Sequence, residues 1–266
     1  MKSMGSNLDI DTVVRDFQRD GCVVLRNLID PDILLKWREN FLPLLNQFLG
    51  NFADPSFRGA NRHYITLPFR APFSDPSVFD NDFIFNLMER LVGKDFTMVQ
   101  LATDTPMKGS DYQELHADTP PLFPEINLAT PSYQLAFNFP LCDVTLQNGP
   151  TEITRGTHTM PKDDALKRIA AGEIPVEAIE MKLGDAMIRD VRHIHRGTPN
   201  HTDEPRPMVV VGYSRKWLYR PEVSIQIPKQ EWETLSPRSR HMLRFNPLVD
   251  SRPEGLVGET YKDFAY

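Results

Sequence analysis

The chain has 266 residues, 40% of them hydrophobic and 25% charged, the composition of a soluble globular protein with a substantial core. A net charge of −6, with basic residues scattered rather than clustered, argues against a nucleic-acid-binding face and against a polybasic membrane surface. Two cysteines, Cys22 and Cys142, make neither a disulfide framework nor a CxxC zinc spacing, no apolar run reaches the length of a membrane span, and the opening MKSMGSN lacks the apolar stretch of a signal peptide, so a cytoplasmic protein is expected.

No repeat, low-complexity tract or linker breaks the chain, and a single domain over residues 1–266 is the simplest organisation. Asp9, Ile10 and Asp11 precede TVVRDFQRDG, in which Val13, Val14 and Phe17 recur at helical spacing and Gly21 is a stop signal. CVVLRNL then reads as a short buried strand. Asp30-Pro31-Asp32 opens a second helix, whose apolar stripe of Ile33, Leu34, Trp37, Phe41, Leu44, Leu45 and Phe48 is expected to pack on a sheet and to end at Gly50. FIFNLMERLVG predicts a further short helix. From about residue 95 the pattern changes to short strand-like runs, FTMVQLAT, YQLAFNFPL, AMIRDV and PMVVVGYS, separated by Pro- and Gly-rich turns. Helices first and strands later predict a helical region, to about residue 95, packed on a β-core of the barrel or sandwich kind.

HADTPP, residues 116–121, sets an imidazole and a carboxylate two residues apart. On a strand, positions i and i+2 point the same way, so His116 and Asp118 face one point together. Alone, H-x-D is a weak signal. Further along, VRHIHRGTPNHTDEPRPMVVVGYSR puts His193 and His195 on one expected strand face, a turn at Gly197, Pro199 and Asn200, and Arg206 ahead of a β-branched strand. Antiparallel pairing across that turn would bring His195 and the arginine onto neighbouring strands that face a shared cavity. Two histidines and one carboxylate with open positions left over suit non-haem Fe(II) that activates O2. A nearby arginine suits 2-oxoglutarate as co-substrate, because the guanidinium fork matches a carboxylate with two hydrogen bonds.

Four stretches together resemble one family. VRDFQRDGCVVLRNLID is similar to the amino-terminal signature of the phytanoyl-CoA dioxygenase family of iron(II)- and 2-oxoglutarate-dependent oxygenases; YQELHAD resembles its first metal motif, NGPTEITRGTH its glycine turn and following strand, and HRGTPNHTDEPRP its distal histidine, Asn-containing turn and arginine. The resemblance covers nearly the whole chain. It implies a mainly β fold with flanking helices around a double-stranded β-helix core of the jelly-roll or cupin kind. It implies His116, Asp118 and His195 as iron ligands, and Arg206 as partner of the distal 2-oxoglutarate carboxylate. Gln113 and Thr151 correspond to residues that touch 2-oxoglutarate in similar enzymes, and Arg62 is the upstream basic candidate for the same pocket. Arg155 stands where the family often has proline and is unexplained.

The resemblance implies Fe(II), 2-oxoglutarate and O2 as cofactor and co-substrates, release of succinate and CO2, and oxidation of a small-molecule substrate by a monomer or homodimer. Hydroxylation, desaturation, demethylation and ring formation are not separated by the sequence, whereas the carboxylate at Asp118 argues against halogenation. The compact chain favours a small metabolite, such as a biosynthetic intermediate with a polar or carboxylate group near Arg62 or Arg155, over a lipid or acyl-CoA. Two other classes stay in view: a metal-dependent lyase or isomerase without 2-oxoglutarate, which Arg206 argues against, and a catalytically silent binding protein, which the intact triad argues against. Residues 119–132, rich in proline, are expected to form a mobile lid over the metal that orders when substrate binds, with Leu122, Phe123 and Ile126 as the apolar side that closes.

Overall fold

The computed structural model describes residues 8–51, 58–123, 125–126 and 128–250. The first helix, α1 (Ile10–Asp20), forms where the spacing places it: the Asp9 side chain accepts from the amides of Asp11 and Thr12, Val13, Val14 and Phe17 are buried, and Gly21 ends it. β1 (Cys22–Leu25) follows. α2 (Pro31–Asn51) runs through Pro43 and past the expected stop at Gly50. A glycine in a helix costs only about 1 kcal/mol, so it weakens a turn without ending it. Then come β2 (Arg62–Thr66), the single turn α3 (Pro76–Phe79), α4 (Asp82–Val92), β3 (Thr97–Pro106) and β4 (Gln134–Pro140). The second half holds β5 (Thr151–Ile153), α5 (Lys162–Ala170), β6 (Glu177–Ile179), β7 (Ala186–Asp190), β8 (His195–Gly197) and β9 (Met208–Ser214). It closes with β10 (Ile227–Pro228), α6 (Lys229–Thr234), α7 (Pro237–Leu243) and β11 (Leu248–Val249), so helices are not confined to the amino-terminal third.

Two antiparallel sheets make the core, one of six strands in the order β1-β7-β4-β9-β3-β2 and one of three in the order β6-β5-β8. Successive side chains on a strand point to opposite faces, and in the large sheet both faces are covered. Leu135, Phe137 and Phe139 of β4, Ala186 and Ile188 of β7, and Val209, Val211 and Tyr213 of β9 join the helices in one hydrophobic core. The alternate residues Asn138, Met187, Arg189, Met208 and Val210 line a pocket on the other face. Burial on both sides explains why these strands read as unbroken apolar runs instead of alternating ones.

α2 seals the helical face. Trp37 is fully buried and meets the rings of Phe73 and Phe139 edge-on at 5.2 and 5.4 Å. Trp37→Ala is expected to destabilise the protein by about 3–5 kcal/mol, the range for truncating a buried aromatic side chain. Urea unfolding followed by circular dichroism checks this, with a lower midpoint at an unchanged slope.

One sequence expectation is corrected here. β8 does not pair with β9: they belong to different sheets, and residues 198–207 carry the chain from the small sheet to the large one. Asn200 organises that crossing. Its side-chain amide donates to the carbonyls of Pro106 (3.0 Å) and Glu204 (2.8 Å), and its Oδ1 accepts from the Thr202 amide at 2.8 Å. His195, on β8 of the small sheet, and Arg206, two residues before β9 of the large one, therefore stand at the two ends of a crossing and not on paired strands. A turn followed by β-branched residues looks alike in sequence whether the chain folds back on itself or crosses a sandwich.

Candidate active site

His116 lies on an extended segment that borders β8 and pairs with it raggedly. His116 and His195 exchange both backbone hydrogen bonds at 3.0 Å, Gln113 donates its amide to Gly197 at 3.0 Å, and Asp118 donates to Val191 at 2.8 Å. This register sets the two histidines directly opposite each other. His116, Asp118 and His195 each offer one ligand atom, all within 4.8 Å of one another. Asp118 Oδ1 is 3.5 Å from His195 Nε2 and 3.9 Å from His116 Nε2.

The remaining ring nitrogens show why Nε2 is the free atom on both histidines. His116 Nδ1 donates to the Glu114 carbonyl at 2.8 Å and His195 Nδ1 to the His193 carbonyl at 2.9 Å. A hydrogen bond at Nδ1 fixes the tautomer and leaves Nε2 as a lone-pair donor. Burial lowers both imidazole pKa values below the usual histidine range, and Arg189 pushes His195 further the same way, so both rings are held neutral. Burial alone would raise the Asp118 carboxyl. Arg189 outweighs it and holds the group below the usual carboxylate range. Neutral imidazoles with an ionised carboxylate are the donor set that a divalent metal requires.

The triad opens on a cavity of about 70 Å³ between the sheets, also lined by Gln113, Thr151 and Gly197 from the small-sheet side and by Tyr64, Asp104, Asn138, Met187, Arg189, Met208 and Val210 from the large sheet. Gln113 Oε1 accepts from the Gly197 amide at 2.9 Å, and Thr151 sits opposite Gly197 in the β5–β8 register. Arg206, 1% exposed, does not line this cavity; it interacts electrostatically with Asp104, which does, and donates through Nη2 to the Gly149 carbonyl at 2.6 Å. Its Nε and Nη1 meet no acceptor among the described residues. Burial pushes its pKa down to about 10, which leaves it charged at neutral pH. Buried donors without partners are rare in folded proteins, and on a cation they mark a place for an anion. The triad thus fits an iron ion and the unpartnered donors of Arg206 fit a carboxylate, the two groups the resemblance implied.

Arg62 is equally buried but already engaged: Nη1 binds Asp104 Oδ2 and Nη2 donates to the Thr198 carbonyl, both at 2.8 Å. It packs against Gly197 so closely that a Cβ there would fall 2.5–2.7 Å from the guanidinium. With Arg62 held at both ends, Gly197→Ala is expected to cost about 1–3 kcal/mol through overpacking, read as a lower denaturation midpoint.

Other expectations are redrawn. His193 is fully buried in the turn before β8 and stands outside the metal-binding group; it contributes a backbone carbonyl. Arg155 is on the surface, bound to Asp20 at 3.1 Å and Glu177 at 3.2 Å, away from the cavity. Leu122, Phe123 and Ile126 do not close on the triad. They line a separate cavity of about 380 Å³ together with Ala117, Thr119 and residues around the start of α5. The reason is strand geometry: His116 and Asp118 face the metal side, so Ala117 and Thr119 face away, and the loop follows them. Its base is tied, Tyr133 meeting Thr119 Oγ1 at 2.9 Å and the Pro120 carbonyl at 3.0 Å, and Arg192 donating to Thr130 at 3.0 Å. Arg189 was missed in the sequence. Its signal was an arginine inside AMIRD, a strand otherwise apolar enough to be buried.

Comparison with known proteins agrees with this geometry. The model of the phytanoyl-CoA dioxygenase (PhyH) family matches residues 17–208. The multifunctional dioxygenase ausE of Penicillium brasilianum is 22% identical, over 96% of this chain and 90% of that protein. Among solved structures, the epimerase SnoN in complex with Fe3+, alpha ketoglutarate and nogalamycin RO is 19% identical with a TM-score of 0.57, over 77% of this chain and 83% of that one. HygX from Streptomyces hygroscopicus, with nickel, 2-oxoglutarate and hygromycin B bound, is 14% identical with a TM-score of 0.60, over 79% and 89%. Two packed antiparallel sheets holding a His-Asp-His triad, and a family match across most of the chain, place this protein in the phytanoyl-CoA dioxygenase family as an iron(II)- and 2-oxoglutarate-dependent dioxygenase.

Proposed function

We propose that the protein oxidises a small metabolite, a natural-product biosynthetic intermediate, with hydroxylation as its simplest outcome. The observation that carries this reading is the cavity at the triad. It is small, and Met187, Met208 and Val210 share its walls with Arg58, Tyr64, Asp104 and Asn138. Such a lining suits a compact molecule that carries polar groups. The nogalamycin RO bound by SnoN and the hygromycin B bound by HygX support the same reading.

His116, Asp118 and His195 would hold the iron through Nε2, Oδ1 and Nε2. Arg206 would hold the far carboxylate of 2-oxoglutarate, with Thr151 and Gln113 beside it on the small sheet. Arg62, committed to Asp104 and Thr198, keeps Gly197 and this wall in place. When bound, iron and 2-oxoglutarate supply the oxidising chemistry, coupling O2 reduction to decarboxylation of the co-substrate to succinate and CO2. The protein's part is to orient substrate against the triad and exclude water, which the sheet side chains around the cavity do.

A screen tests this. The iron-loaded protein is incubated with 2-oxoglutarate and O2 against polyketide and terpenoid intermediates, aminoglycosides and acyl-CoA thioesters, with succinate and substrate mass read together. A metabolite that gains one oxygen or loses two hydrogens in step with succinate is the expected result. Turnover confined to acyl-CoA thioesters would overturn the substrate assignment.

A further inference from the structure

Asp118 has two carboxylate oxygens, and the structure treats them differently. Oδ1 faces the two Nε2 atoms, at 3.5 and 3.9 Å. Oδ2 is bound by Arg189 Nη2 at 2.7 Å. Both partners are nearly fully buried. Arg189 sits on β7 of the large sheet, whereas the metal ligands sit on or beside β8 of the small one. The ion pair therefore spans the sandwich and ties the triad to the opposite wall. Nη1 of the same guanidinium lies 3.2 Å from His195 Nδ1. That nitrogen gives its proton to the His193 carbonyl, so this contact joins two donors: the guanidinium rests against the ring edge without accepting or offering a bond there. The arginine's one strong partner is thus Oδ2.

We infer that Arg189 is a positioning residue for the metal centre, holding Asp118 Oδ2 so that the carboxylate presents Oδ1 alone. One consequence follows: a carboxylate whose second oxygen is held by a guanidinium is fixed with Oδ1 turned towards the two Nε2 atoms, so the metal meets its third donor already oriented and no ordering of Asp118 has to accompany binding. Groups that hold metal ligands from behind typically change metal affinity by about 10–100-fold when removed. Lysine would keep the charge but lose the fixed fork. A competing role, binding a substrate anion, is disfavoured because the strong bond of Arg189 is made to the ligand and not into the open cavity.

This inference rests on the iron and 2-oxoglutarate reading, and anaerobic titration separates the two. Wild type, Arg189→Met and Arg189→Lys are titrated with Fe(II) and then with 2-oxoglutarate, following the visible charge-transfer band, with melting of the metal-free proteins as the check on folding. The expected result is Fe(II) affinity lowered roughly 10–100-fold in Arg189→Met, with a shifted band, and recovery of most of the affinity in Arg189→Lys. Should methionine prevent folding, Arg189→Gln, which keeps a polar donor without the charge, provides the same readings. An Fe(II) affinity and band equal to wild type in the Met or Gln variant would overturn the inference, as would a change confined to substrate KM, or a Lys variant no better than Met. No band in the wild type would instead sink the cofactor reading itself.

Discussion

Replacing His116, Asp118 or His195 with alanine is expected to abolish iron-dependent turnover, while His193→Ala is expected to retain it. Each ligand supplies one of three donors, and a centre that must also accept co-substrate and O2 has no spare protein ligand to fall back on. His193 contributes only its backbone carbonyl to His195, and a side-chain substitution leaves that carbonyl present. The three ligand variants are not equivalent in stability. Asp118→Ala strands the Arg189 guanidinium, buried with no counter-charge, and breaking a buried pair by removing one partner costs about 3–5 kcal/mol. Asp118→Ala is therefore expected to unfold well before His116→Ala and His195→Ala in urea, with Asp118→Asn between them. Iron content after anaerobic reconstitution and denaturation midpoints measure both effects. Iron lost in His193→Ala but kept in His195→Ala would refute the ligand assignment.

The sequence carried the triad because ligand chemistry is written in residue types. His116, Asp118, His195 and Arg206 are polar groups set among apolar strands, and their order along the chain limits what they build. It carried the strands of the large sheet for a similar reason, since runs such as PMVVVGYS are too short for helices and too apolar for loops. It did not carry the pairing. Whether residues 198–207 turn back or cross between sheets depends on contacts of Asn200 with Pro106, nearly a hundred positions away, and no local pattern records them. The side of the 119–132 loop was missed for a related reason: the period-2 rule that aimed His116 and Asp118 at the metal was not carried one residue further, where it turns Thr119 to the other side. Arg189 was overlooked because a buried arginine looks like a flaw in a strand until its partner is known.

Arg206→Ala is expected to raise the 2-oxoglutarate concentration required for turnover by at least about a hundredfold, with little change in iron affinity. The guanidinium is fully buried, one nitrogen is used by the Gly149 carbonyl, and Nε and Nη1 have no acceptor among the described residues. A carboxylate that accepts from these free donors makes a charge-assisted pair in a place water does not screen. Losing one member of such a pair is worth about 3–5 kcal/mol, and each 1.4 kcal/mol is a factor of about ten in binding. Arg206→Lys keeps the charge on a single point and is expected to fall between the two, because the fork is what matches the carboxylate. The iron should stay, since Arg206 is bonded to Gly149 and not to any triad residue. Thermal melting adds a reading that does not depend on turnover: a ligand that binds only the folded state raises the midpoint with its concentration. In the iron-loaded wild type under anaerobic conditions 2-oxoglutarate should raise Tm steadily, and in Arg206→Ala the same concentrations should leave it nearly flat. An unchanged 2-oxoglutarate requirement, together with an undiminished shift in Tm, would mean that the dianion is held elsewhere and that the orphaned nitrogens of Arg206 serve another ligand.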